Sequence, residues 1–363
     1  MKRIVMTGGG SAGHVTPNLA LIPPLQRAGW DVHYIGTHAG LERGLVEPLP
    51  GVTYHAVHSG KLRRYFSLRN LTDPFRVLAG AWEAWRLMGK LRPQLLFSKG
   101  GFVSVPVVYG AWMHRVPVLL HESDLTPGLA NRLCAPLAKA VCTTFPEAAR
   151  ALGGKGVCTG TPLRPELFTG TRERGLALCG FSPERPVLMC IGGSQGAAAV
   201  NRALRDALPR LLDSFQVLHV CGQGHLDTAL DGTPGYRQFA YLRDELADAY
   251  AAADILLSRA GSTTLSEIVA LHKPALLVPY PTTASRGDQL ENARSLAQRG
   301  LACVLAQEDI TTDSLTEALA ALYARRDTLR GALAEAQGGD GTGAVLAQIA
   351  AAARMLPTEG KAI

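Results

Sequence analysis

Twice in this chain a short apolar run ends in a cluster of glycines that opens a helical stretch. The first is Ile4-Val5-Met6-Thr7-Gly8-Gly9-Gly10-Ser11-Ala12-Gly13-His14, and the second is Val187-Leu188-Met189-Cys190-Ile191-Gly192-Gly193-Ser194-Gln195-Gly196-Ala197. A strand that turns through glycine into a helix brings bare backbone N–H groups and a helix N-terminus together, which suits an anion such as a diphosphate. One such turn carries little weight, because glycine also serves tight turns that bind nothing. Two of them, each starting its own half of the chain, predict an α/β protein with two Rossmann-like domains facing a shared cleft.

The rest of the pattern agrees. Apolar runs at 3–7, 32–36, 95–98, 117–121 and 140–143, then at 186–191, 216–221, 254–258, 275–279 and 301–305, read as strands. Helical periodicity fills 15–28, 70–91, 128–138, 197–213, 244–252, 263–271, 289–299 and 313–335. Short strands that are apolar throughout and separated by helices predict parallel sheets covered on both faces, with ligands at the C-terminal strand ends. A length of 363 residues suits two cores. Two prolines in Gly160-Thr161-Pro162-Leu163-Arg164-Pro165 interrupt the pattern. The expected division is therefore a domain over 1–161, a second over 162–345, and an Ala-rich tail over 346–363 that packs back on the first.

Seven scattered cysteines, with no C-x-x-C pair, point to reduced thiols and a cytosolic protein. Lys2 and Arg3 precede only three apolar residues before the first turn, so no secretory signal is expected. The apolar run from Phe102 to Trp112 is broken by Ser104, Pro106 and Gly110 and is too short to span a bilayer. The net charge of +7 is concentrated: between His58 and Arg92 eight basic residues, among them Arg63, Arg64 and Arg69, face only Asp73 and Glu83. Phe66, Trp82 and Trp85 lie among them. Such a mixture suits an anionic lipid surface or a nucleic acid. The Trp82/Trp85 pair alone, at i and i+3, reads as the core side of an amphipathic helix.

Read together, Gly8 to Pro17, Gly36-Thr37 with Gly40-Leu41-Glu42, His121-Glu122-Ser123-Asp124 with Pro127-Gly128 and Asn131, Gly192 to Ala197 with Asn201, Arg259-Ala260-Gly261-Ser262 with Glu267, Pro279, and Gln289 with Asn292-Ala293 resemble the MurG family. These are GT-B glycosyltransferases that add N-acetylglucosamine to the lipid-linked muramyl-pentapeptide of peptidoglycan synthesis. The match runs in order from the first strand to about residue 300. It implies UDP-N-acetylglucosamine as donor, held mainly by the second domain, and lipid I as acceptor, entering over the first domain from the inner face of the cytoplasmic membrane. The products are lipid II and UDP, with inversion at the anomeric carbon. It also implies an anionic membrane surface and other cell-wall synthesis proteins as partners, no nucleic acid, no cofactor, and a cytoplasmic protein peripherally bound to the membrane.

The resemblance assigns the donor to Ser194 and Gln195 in the second turn, Arg164 on the diphosphate, Leu242 near uracil, and Gln289 and Asn292 on the sugar, with Ser11, Gly13 and Asp124 contributing from the first domain. Glu267 would accept from the ribose hydroxyls, as a carboxylate does in nucleotide recognition. Asp288 departs from the family, and a carboxylate there repels phosphate. Lys99 and Gly100, in a third glycine turn, stand where the acceptor diphosphate is expected. Inverting transfer needs a base for the acceptor hydroxyl. His14, Glu122 and Asp124 are the candidates, with His14 favoured because a helix N-terminus keeps imidazole neutral. No D-x-D triplet occurs, so a carboxylate-bound metal is not expected. The competing readings are another GT-B lipid glycosyltransferase, a UDP-N-acetylglucosamine 2-epimerase, and a non-catalytic sugar-nucleotide-binding subunit.

Overall fold

The computed structural model describes residues 2–59, 73–192, 196–282 and 287–354. Arg63, Arg64, Phe66, Arg69, Ser194 and Gln195 lie outside the described residues. The chain divides into two units. Pro165–Gly339 forms one, and the described residues on either side of it form the other.

The first unit carries seven strands: β1 (Lys2–Thr7), β2 (Trp30–Thr37), β3 (Val52–Val57), β4 (Leu95–Ser98), β5 (Val118–Glu122), β6 (Ala140–Thr143) and β7 (Gly156–Cys158). They form one parallel sheet in the order β3-β2-β1-β4-β5-β6-β7. Alternate side chains of β1 enter opposite cores, as strand geometry requires. Ile4 and Met6 pack with Val15, Leu21 and Leu95, whereas Val5 packs with Met88, Val107 and Leu120. Both faces are thus buried, which is why β1 reads as a continuous apolar run.

The second unit carries β8 (Val187–Ile191), β9 (Gln216–Val220), β10 (Tyr236–Phe239), β11 (Ile255–Ser258), β12 (Ala275–Leu277) and β13 (Cys303–Val304), ordered β10-β9-β8-β11-β12-β13 and again parallel. Leu188, Cys190, Leu204, Leu257 and Leu319 lie in its core.

The strands absent from the sequence reading are β3, β7 and β10, and all three are sheet edges. An edge strand is half covered, so it needs no unbroken apolar run. The expected helix 313–335 is two helices, Thr312–Ala324 and Arg326–Ala334, meeting at Arg325. Leu315, Leu319 and Leu322 bury the first and Leu329 and Leu333 the second. The hydrophobic period therefore runs on through the break. Ser104–Met113, read as a broken apolar run, is a helix with six buried residues. With little polar surface, it shows no helical alternation.

The boundaries at 161 and 345 shift to Arg164 and Gly339. Thr161 pairs with Asp340, the Gly341 N–H donates to Thr161 O at 2.8 Å, and the Leu163 N–H donates to Asp340 Oδ1 at 3.2 Å. These bonds draw 340–345 into the first unit. The helix Thr342–Arg354 then inserts Val345, Ile349 and Ala352 beside Ile4 and Leu95. No helix among the described residues is long and apolar enough to cross a membrane.

Candidate functional site

In each sheet the strand order reverses once, between β1 and β4 in the first and between β8 and β11 in the second. Connections on the two sides of such a point leave in opposite directions and open a crevice beyond the C-terminal strand ends. The two glycine turns stand at those points.

In the first unit, the turn after β1 is braced from beneath. Tyr34 Oη–H donates to Gly8 O at 2.6 Å, and Asn18 Nδ2 donates to Thr7 O at 3.2 Å. Glu42, fully buried, accepts from the N–H and hydroxyl of Thr37 at 2.9 and 2.6 Å and from the Gly10 N–H at 3.4 Å. Its motif was visible in the sequence, but its role as the brace was not. Gly101, at φ +86°, lies so close to the first turn that a Cβ would come within 2.2 Å of Gly9 O. Only glycine lets these two switch-point turns touch.

Ser11 precedes the helix Ala12–Arg27, whose first turn holds Gly13 and His14. His14 Nδ1 lies 3.2 Å from Gly9 O and 3.0 Å from Ser11 Oγ. A carbonyl can only accept, so Nδ1 carries the proton and the lone pair sits on Nε2. That is the tautomer a general base requires.

The loop after β5 carries the other two candidates for the base. Glu122 is buried, and its carboxylate accepts from the Asp124 N–H at 3.0 Å, the Gly128 N–H at 3.0 Å and Asn131 Nδ2 at 2.9 Å. Burial pushes its pKa up, opposed by these hydrogen bonds. Both oxygens are engaged in holding the loop, and Asp124 stands partly exposed on it. Lys99 does not join Gly100 as a surface cation. Its Nζ is buried, donating to His121 Nδ1 at 2.8 Å and to Ser123 Oγ, because the chain turns sharply at Gly100 and Gly101 and leaves the side chain underneath. The Gly100 N–H is turned inward to Ser98 Oγ at 3.3 Å.

Trp82 and Trp85 are 57% and 41% exposed, not core. The buried side of the helix Asp73–Leu91 is Ala84, Met88 and Leu91. Leu78, Trp112 and Met113 are exposed as well, and the Arg86 guanidinium lies 5.5 Å from the Trp82 ring centre.

In the second unit, β8 runs into Gly192 and the helix Ala198–Ser214 follows. Gly196, at φ +74°, sits where a Cβ would meet Cys221 O. After β11, Gly261 caps the helix Ser262–Ala270, which carries Glu267. Glu267 Oε2 accepts from Tyr250 Oη–H at 2.8 Å. Gln289, at the start of Asp288–Gln298, accepts from the Tyr280 N–H at 3.3 Å, while Asn292 one turn later is fully buried. Leu242 is buried too, leaving main-chain groups as what that loop can offer. Arg259 lies just after β11. Its buried guanidinium donates to Val278 O at 3.0 Å and Gln307 Oε1 at 2.7 Å, and it stacks 4.0 Å from the Tyr280 ring centre, bracing the Pro279–Pro281 segment. Arg164 Nε is buried without a hydrogen-bond partner among the described residues.

Two parallel Rossmann-like domains, each with a glycine turn and a helix N-terminus at its switch point, are the GT-B glycosyltransferase architecture. The model of the glycosyltransferase family 28 N-terminal domain matches residues 4–143, and that of the family 28 C-terminal domain matches 187–340. The chain belongs to glycosyltransferase family 28.

A relative from Lachnospira eligens, named UDP-N-acetylglucosamine--N-acetylmuramyl-(pentapeptide) pyrophosphoryl-undecaprenol N-acetylglucosamine transferase, is 52% identical over 90% of this chain and 92% of its own. One of the same name from Geobacillus thermodenitrificans is 49% identical over 97% and 99%. Among solved structures, Acinetobacter baumannii MurG superposes with a TM-score of 0.78 at 27% identity, covering 97% of this chain and all of that one.

Proposed function

We propose that the protein transfers N-acetylglucosamine from UDP-N-acetylglucosamine to the C4 hydroxyl of the muramyl sugar of lipid I, forming lipid II and UDP. The observation that carries this reading is identity near one half, through both domains, to relatives that bear this one name. The acceptor oxygen attacks the anomeric carbon from the face opposite UDP. The new C–O bond forms as the bond to the diphosphate breaks, and the hydroxyl proton passes to His14 Nε2. Support for His14 is its Nδ1 bond to Gly9 O, which sets the accepting tautomer on the other nitrogen.

Asp124 orients a hydroxyl, and Glu122 fixes the loop that carries Asp124. Arg164, whose Nε is buried without a hydrogen-bond partner among the described residues, neutralises the departing diphosphate; Ser194 and Gln195 of the second unit, and Ser11 and Gly13 of the first, are further donor-binding residues of this reading. Glu267, held by Tyr250, accepts from ribose hydroxyls, and main-chain groups at Leu242 meet the base. Gln289 contacts the sugar, with Asn292 buried behind it.

The exposed cluster of Leu78, Trp82, Trp85, Trp112 and Met113, with Arg86 and the basic stretch through Arg63 and Arg64, seats the first unit on the anionic inner face of the membrane. Purified protein incubated with labelled donor and a short-chain lipid I analogue tests the reaction. Label is expected in the lipid; label in diacylglycerol, or only as epimerised free donor, refutes the reading. The membrane seat predicts that Trp82→Ser with Trp112→Ser weakens binding to anionic vesicles but not turnover on a water-soluble acceptor. Equal loss in both measurements refutes it.

A further inference from the structure

Lys99 is buried at the centre of the first unit's strand ends, and nothing in the transfer mechanism uses it. Its backbone N–H donates to Thr7 O at 2.9 Å, and its Cβ lies against Gly8, so it touches the first glycine turn. Its Nζ donates to Ser123 Oγ in the loop of Asp124 and to His121 Nδ1 on β5. Because His121 Nδ1 accepts, its proton is on Nε2, which donates to Gly160 O at 2.8 Å. Burial first, and Lys99 second, hold His121 well below the usual imidazole range, so it is neutral, as this directed chain from ammonium to imidazole to carbonyl requires. Gly160 begins the segment that ends in Arg164.

We propose that Lys99 is a positioning residue for the transfer step: its buried ammonium ties the Asp124 loop, the first glycine turn and the start of the Arg164 segment together. Glu122 accepts from the Asp124 N–H, the Gly128 N–H and Asn131, bonds that are stronger to a carboxylate than to the neutral acid, while burial works against the anion. Lys99 is the nearby charge that favours the anion. The groups facing Lys99 are Glu122 and Asp124 after β5, His121 on β5 and the Cys142 thiol on β6. Burial lowers Lys99 to about 8, opposed by Glu122, Asp124 and Cys142. The ammonium is thus present at neutral pH and lost just above it.

The inference rests on the reading that the Asp124 loop serves the reacting hydroxyl. Two substitutions in the full chain test it, with kcat and KM followed from pH 6 to 9.5 and donor binding measured separately by calorimetry. Lys99→Met is expected to lower kcat about tenfold or more through misplacement of the loop, with a smaller loss of donor affinity. It should also abolish the fall in kcat centred near pH 8 and move the acid limb up as Glu122 protonates more readily. Ser123→Ala, which keeps the buried charge and removes one contact of the loop, is expected to lower kcat severalfold and to retain the alkaline fall. A role in packing alone would move neither limb.

Normal kcat in Ser123→Ala, or an alkaline fall that persists in Lys99→Met, overturns the proposal. Should Lys99→Met fail to fold, the Ser123→Ala rate and the wild-type alkaline fall decide it, and absence of either overturns it. If His14→Ala and Asp124→Asn are inactive while both test variants behave as wild type, the site reading stands and the role of Lys99 falls. If His14→Ala and Asp124→Asn are fully active, the site reading itself fails.

Discussion

The two units share the order of their first six strands and a glycine-rich sequence after the first of them, yet the charged groups near their strand ends are held by different means. In the first unit the support is ionisable and buried: Glu42 under Gly10, Lys99 beneath Gly100, Glu122 behind Asp124, with His14 at the mouth of the helix. In the second the buried guanidinium of Arg259 binds carbonyls rather than carboxylates, and the Glu267 carboxylate is held by the neutral hydroxyl of Tyr250. The contrast matches the chemistry assigned to each. A proton has to move on the acceptor side, so titratable groups are arranged there. On the donor side a diphosphate and a nucleoside need only be held.

A lysine in each unit makes the same point. Lys99 and Lys273 are both lowered to about 8 by burial. Lys99 lies at the C-terminal strand ends among Glu122 and Asp124. Lys273 precedes β12 at the opposite end of its sheet, where its Nζ donates to Ala253 O at 2.9 Å. One belongs to a site by position, and the other is a half-buried lysine at the far end of its sheet.

Three measurements would break or sharpen this contrast. His14→Ala should have the largest effect, a loss of about 10²–10⁴ in kcat with donor affinity unchanged, because only the proton acceptor is removed. Near-normal turnover in that variant, with loss in Asp124→Asn, would transfer the role of base to Asp124.

Next is Lys273→Met, which should leave kcat intact while changing how stability depends on pH. In the wild type this lysine is charged when unfolded up to about 10.5 but loses its proton near 8 when folded. Between those values the unfolded chain binds more protons, so stability rises with pH, by up to about 3 kcal/mol from this group. Denaturant unfolding at pH 7.5 and pH 10 should show a flatter rise in the variant, and a rise as steep as the wild type's would contradict the assignment. The smallest effect is expected from Tyr250→Phe. Loss of its bond to Glu267 should weaken UDP binding by about 1 kcal/mol, roughly fivefold, without altering the pH profile of kcat. A changed pH profile would show that titration on the donor side also matters.

Much of the fold was legible in the chain. Strands buried on both faces must be apolar throughout, so β1, β4, β5, β8 and β11 stand out, and the glycine turns mark the C-terminal ends of β1 and β8. The edge strands β3, β7 and β10 did not stand out, because half-covered strands carry mixed side chains. The break at Arg325 was hidden because both helices continue the same leucine spacing. In the site, the motif residues were visible as types at positions, but their direction was not. Lys99 reads as a cation in a phosphate turn and lies underneath it; Trp82 and Trp85, which read as core by their spacing alone and as a lipid-facing surface within the basic stretch, face outward; Glu122 reads as a candidate base and its oxygens hold a loop.

By itself, the sequence determined two Rossmann-like halves, their switch-point turns and the family resemblance, since these follow from local periodicity, glycine and ordered motifs. Tertiary structure alone decided which charged groups are buried together, that 340–354 returns to the first unit, and which nitrogen of His14 holds its proton. Those depend on residues far apart in the chain: Lys99 with His121 and Ser123, Asp340 with Thr161 and Leu163, and Glu42 with the turn that presents His14. Burial and hydrogen-bond partners set charge state, and neither is a property of one residue or its neighbours in sequence.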